Sequence, residues 1–135
     1  MSEILVNKLT GTSTAGNITV TSEGGAATMQ LQQGLAKVWA NYELAGVHSF
    51  LDSFNTSSIT DNASGKSTIG FSSALSSVNY ASSGIGYKAS DSNAYSTSVT
   101  VGDVKTTTSI KLYHMYTTAF YDMPDASFIV YGDLA

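Results

Sequence analysis

The sequence predicts an all-β protein: an antiparallel β-sandwich, jelly-roll-like, preceded by an extended N-terminal arm. Three observations carry this expectation. First, 21 serines and 16 threonines fill more than a quarter of the 135 residues, so hydroxyls provide the solubility that most domains draw from Lys and Glu. Second, only 12% of residues are charged, about half the usual share of a soluble domain, and the helix formers Glu, Lys and Arg are scarce while strand formers such as Thr, Tyr and Val abound. Third, from residue 36 onward apolar and polar residues alternate with the period of two that half-buried strands require. Eight tyrosines, five phenylalanines and a positive mean hydropathy separate the chain from the disordered Ser/Gly-rich class.

Taken in order, residues 1–34 form the arm. Short strands are expected at residues 4–9, 17–21 and 28–31, separated by a Gly/Thr/Ser run at 11–16 and by Glu23-Gly-Gly-Ala-Ala27. The arm contains no aromatic residue and cannot build a core of its own, so it is expected to pair with copies of itself or with another protein.

Residues 35–135 form the sandwich. In the first strand Val38, Ala40 and Tyr42 share one face and Lys37, Trp39 and Asn41 the other. In residues 47–54 the same alternation groups His48, Phe50, Asp52 and Phe54. A hairpin follows: a strand at 58–60, a turn at Asp61-Asn-Ala-Ser-Gly65 whose Asn and Gly suit left-handed backbone angles, and a return at 66–71 with Ile69 and Phe71 on one face. A short helical turn is expected at 71–77. Further strands are expected at 79–87, 95–101, 107–116 and 127–132, with Pro124 in the turn Asp122-Met-Pro-Asp125.

The charge pattern excludes several functions. Six scattered lysines, no arginine and a net charge of −4 leave no basic patch for nucleic acid. No apolar run reaches membrane-span length, and Ile4-Leu-Val6 after Met1-Ser-Glu3 is too short for a signal peptide. Absence of cysteine removes thiolate zinc sites and Cys nucleophiles. His48 and His114 lie 66 residues apart without a ligand motif and read as ordinary strand histidines. Asp122 and Asp125 flank Pro124 but lack the alternating acids of a calcium loop. Ser83-Gly-Ile-Gly86 lacks the third glycine of a nucleotide loop. Tyr80, Tyr87, Tyr95, Tyr113, Tyr116 and Tyr121 with Trp39 could form a sugar-stacking surface, although strand aromatics more often fill cores and subunit interfaces. No catalytic, cofactor-binding or metal residue is assigned, and no cofactor is expected.

From Leu35 to Phe71 the chain reads LAKVWANYELAGVHSFLDSFNTSSITDNASGKSTIGF. Lys37, Trp39, Asn41 and Tyr42, then Asp52, Ser53, Phe54 and Asn55, then Ser57, Ser58, Ile59, Thr60, Asp61, Asn62 and Gly65 form a pattern that resembles a module of tailed-phage virion proteins, common in tail fibres of marine phages and cyanophages. Asn79-Tyr80 and a last strand closing on Gly132-Asp133 extend the likeness to the C-terminus, and residues 1–34 are similar to the leaders of such proteins. The resemblance implies a homotrimeric structural protein of the virion, without catalytic residues, whose residues 1–34 contact other virion proteins. It implies a small tail fibre or fibre tip that meets a host-surface glycan or protein, for which residues 86–95 and 122–126 are the candidate loops. A capsid decoration protein is the alternative, and a glycan-acting enzyme with two converging carboxylates ranks behind both.

Overall fold

The computed structural model describes residues 4–11, 18–22, 24–25, 27–90 and 93–135, and of these the side chains of all but 88–90, 93–101 and 103. The chain divides into two compact units, Met1–Leu35 and Ala36–Ala135. The runs at 12–17 and 91–92, with Glu23 and Ala26, lie outside the described residues, as do the first three residues.

In the first unit, β1 (Thr19–Thr21) pairs antiparallel with β2 (Thr28–Gln30), placing Val20 opposite Met29. The connection closes where the Ser22 amide donates to the Ala27 carbonyl at 2.8 Å, with Gly25 in the left-handed region at φ 71°. Residues 4–9 are irregular where a strand was expected, because an apolar triplet without a ladder partner gains nothing from extension. The expected strand end at Leu31 is instead a single 3-10 turn, Leu31–Gly34. Ile4, Leu5, Val6 and Leu9 are all exposed, and every residue of the buried hydrophobic cluster belongs to the other unit.

The second unit contains β3 (Val38–Glu43), β4 (Ser49–Phe54), β5 (Thr56–Ala63), β6 (Lys66–Phe71), β7 (Ala81–Ser90), β8 (Asn93–Lys105), β9 (Ser109–Tyr116), β10 (Ala119–Phe120) and β11 (Asp125–Tyr131). They run in the order β4-β3-β11-β7-β8-β9-β6-β5, with β10 added to β9. All pairings are antiparallel. The sheet packs face to face in a sandwich-like arrangement, because β3 and β9 are far apart in strand order yet their side chains meet in the core. Val38, Ala40, Tyr42, Phe128 and Val130 come from one half and Ile69, Phe71, Ile110 and Leu112 from the other. Burying alternate residues on both inner faces removes apolar surface worth about 25 cal/mol per Å².

The chain crosses between halves at Asn55, the single residue between β4 and β5. Its φ is 57°, a region Asn tolerates better than most residues. Its side chain fixes the corner: Nδ2 donates to the carbonyls of Lys37 (3.0 Å) and Ser73 (3.2 Å), and Oδ1 accepts from the Ser73 amide at 2.6 Å.

Four expectations for this unit need correction. The expected face shared by Phe50, Asp52 and Phe54 is broken by a register shift in the β3–β4 pairing. Phe50 stands opposite Tyr42 and packs on the core, whereas Asp52 and Phe54 stand opposite Asn41 and Trp39 on the outer face, as a bulge inserting one residue requires. Lys37 is buried, not on an outer face with Trp39. Residues 72–77 form no helical turn; the amides of Phe71 and Leu75 donate across to Thr108 and Thr107 at 2.8 Å each, which leaves them unavailable to a local helix. In the hairpin, β5 continues to Ala63, so the turn shortens to Ser64-Gly65, with Gly65 at φ 64°.

Candidate functional site

Two polar arrangements in the second unit, one internal and one external, bear on function. The first is internal. β3 carries Tyr42 and β9 carries His114, both fully buried, and the Tyr42 hydroxyl lies 2.7 Å from His114 Nε2. On its other side, His114 Nδ1 is 3.2 Å from the Gly65 carbonyl oxygen. A carbonyl only accepts, so the network assigns the proton to Nδ1 and makes Nε2 the acceptor of the tyrosine O–H. Both ring nitrogens of the neutral imidazole are thereby satisfied. Burial, helped by the nearby His48, pushes the His114 pKa down to about 4 against the opposing effects of the Gly65 carbonyl and Asp122. Burial raises the Tyr42 pKa as well.

Gly65 ties this network to the chain around it. Its amide donates to Asp122 Oδ1 at 2.6 Å, and its carbonyl also accepts the His114 amide at 2.8 Å. A Cβ here would overlap the Tyr121 amide nitrogen and approach the His114 oxygen to 2.7 Å. His48, far from His114 in sequence, comes close enough in the fold to act on its charge. His48 Nε2 sits 3.8 Å from the exposed Asp61 carboxylate. Among the described residues no group of three or more His, Cys, Asp or Glu is placed to hold a metal ion.

The second place is external. β11 is flanked by β3 and β7, and its ladder puts Ser127 directly opposite both Asn41 and Ile85, and Asp125 opposite Tyr87. Residues opposite one another share a face. Asn41, Ile85, Tyr87, Asp125 and Ser127, with Gly86 and Ala126 in its floor, line an open groove of about 400 Å³. The Asn41 Oδ1 is buried and accepts no hydrogen bond among the described residues.

The cause of this groove lies in the pattern of β7. Its inward positions are Ser82, Gly84 and Gly86, opposite Val130, Phe128 and Ala126. Gly84 and Gly86 add no side chain to the inner face beside the buried Phe128 and Ala126. The large residues of β7 are consequently turned outward, Ile85 at 55% exposure and Tyr87 at 42%. Beside the groove, Trp39 stands opposite both Phe54 and Ile129, and Trp39 and Phe54 are 36% and 52% exposed.

The tyrosines weighed together for a stacking surface are dispersed. Tyr80 is in the core, edge-on to Phe71 with ring centroids 6.1 Å apart, and burial pushes its pKa up to about 12. Tyr113 packs against Phe120 beneath Lys66, and Tyr121 packs on the core. Among the described side chains of that set, Tyr87 is the one that lines the groove; the side chain of Tyr95 lies outside them. The candidate loop at 86–95 belongs largely to β7 and β8, and Asp125 and Ala126 of the other begin β11. Asn41 and Ser127 were not singled out as a pair, and their register across β3 and β11 is a tertiary fact that neither segment encodes alone. Compared with protein-family models, curated proteins and solved structures, the chain finds no match.

Proposed function

We propose that the chain is a structural protein of a tailed-phage virion, a small homotrimeric tail fibre or fibre tip. Its first unit attaches to the particle, and its jelly-roll-like sandwich faces the host surface. The observation that carries this reading is the outward allocation of Ile85 and Tyr87 beside Trp39 and Phe54, on a face that the core does not need. A protein that adheres keeps such residues in solvent until a partner covers them. The exposed Ile4, Leu5, Val6 and Leu9 of the first unit support an attachment role at that end, since apolar side chains that cannot reach a core of their own are buried by another surface. The chemistry is adhesion, and no bond is made or broken.

Cryo-electron microscopy of purified particles containing the chain tests this reading. Three-fold density at the tail, with residues 1–34 against neighbouring virion proteins, is the expected result. Density distributed over the capsid lattice would replace the fibre with a decoration protein. Sedimentation equilibrium gives a second check: a species of three times 14.1 kDa is expected, and a monomer at micromolar concentration refutes the trimer.

A further inference from the structure

We infer that the groove across β3, β11 and β7 binds an uncharged hexose unit of a glycan, with the sugar ring on the face of Tyr87 and its hydroxyls held by Asp125, Ser127 and Asn41. The inference rests on the attachment reading above and gives that surface its ligand class. A pyranose has a face of C–H groups and a rim of hydroxyls, so its complement is an aromatic ring beside acceptors and donors. The groove supplies both, with Ile85 extending the apolar part.

The spacing also fits. Tyr87 and Asp125 are directly opposed, which sets their Cβ atoms about 5 Å apart. Ser127 follows two residues along the same strand, about 7 Å further, with Asn41 beside it on β3. One sugar ring spans that distance. A volume of about 400 Å³ lies at the small end of ligand sites.

The hydrogen-bonding inventory selects the ligand further. Asp125 only accepts, Ser127 gives and takes, and rotation of the Asn41 amide can present its carbonyl oxygen, which accepts nothing among the described residues, to a ligand hydroxyl. The groove therefore asks for donors. Among the described residues its lining carries one carboxylate and no cationic side chain, which disfavours an acidic sugar and leaves a neutral one.

Saturation-transfer NMR and titration calorimetry on the full chain, with methyl glycosides of glucose, galactose, mannose and N-acetylglucosamine, test the inference; methyl glucuronide is the anionic control. At least one neutral glycoside is expected to bind in the millimolar range, and Tyr87→Ala or Asp125→Ala to weaken it about tenfold. Val20→Ser in the first unit is expected to leave binding unchanged. Both groove residues are exposed, and an unaltered circular dichroism spectrum confirms that the variants fold; Ile85→Ser provides a third variant on the same face. The inference is overturned by absence of binding to every neutral glycoside, by binding that the groove variants leave intact, or by glucuronide binding equally well. A change of sedimentation on Tyr87→Ala would also overturn it, because the face would then be covered by a second copy. Particle location separates the two readings: a virion component that binds no sugar sinks only this inference, and a sugar binder missing from virions sinks only the virion assignment.

Discussion

β3 and β7 flank the same strand, pair with the same stretch of β11 from Ala126 to Val130, and distribute their side chains in opposite ways. β3 sends Val38, Ala40 and Tyr42 inward, each with at most 2% exposure, and contributes the hydroxyl that satisfies His114. β7 sends Ser82, Gly84 and Gly86 inward and keeps Ile85 and Tyr87 in solvent. One strand is committed to the core and the other to its outer surface. Two neighbours in one sheet can thus answer to different selective demands, and tyrosine has a different meaning on each.

The largest expected effect breaks the β3 side of this contrast. Tyr42→Ala removes a fully buried ring and strands His114 Nε2 without a donor, which is expected to cost about 3–5 kcal/mol in urea unfolding. A cost under about 1 kcal/mol would mean that β3 is no more committed to the core than β7.

A pH titration addresses the same network. His114 is neutral in the fold, with its pKa pushed down to about 4 from 6.5, while in the unfolded chain it titrates near 6.5. The groups facing it are Tyr42 from β3, the Gly65 carbonyl from the β5–β6 turn, Asp122 after β10, and His48 before β4. Above pH 6.5 neither state is protonated and the contribution is fully present. As pH falls the unfolded state binds a proton that the fold rejects, so stability declines by about 1.4 kcal/mol per pH unit until about pH 4, about 3 kcal/mol in all. Guanidinium unfolding at stepped pH measures this slope, and His114→Gln is expected to remove it.

Gly65→Ala comes next. The left-handed φ and the overlap with Tyr121 and His114 are expected to cost about 2–3 kcal/mol, read as a lowered thermal midpoint. Smallest of all is Tyr87→Ala, expected to shift unfolding by no more than about 0.5 kcal/mol. If Tyr87→Ala proved as costly as Tyr42→Ala, the division between the two strands would collapse.

Much of the strand pattern was legible in the sequence because alternation is local. Val38, Ala40 and Tyr42 announced an inner face, and Asn62 and Gly65 announced a hairpin. The same signal misled at β4, where a bulge moves Asp52 and Phe54 to the outer face without any mark in composition. At β7 alternation gave the two faces but not which was inner; hydrophobicity alone would have turned Ile85 inward, whereas the register with β11 sets Gly84 beside the inward Phe128 and Ile85 beside the outer Ser127. The Tyr42–His114 bond spans 72 positions, and the groove needs three strands in register. Neither could be read from any one segment, since each arises from pairings that close long loops.

The pairing of β3 with β11 also bears on how the sandwich comes apart. Val38 stands opposite Val130, and the Lys37 amide donates to the Val130 carbonyl at 2.8 Å, so the first strand of this sheet in chain order is stitched to the last. On its other edge β11 pairs with β7. Detaching β11 therefore opens two ladders at once, and the amides of β3, β11 and β7 are expected to exchange with solvent as one cooperative unit.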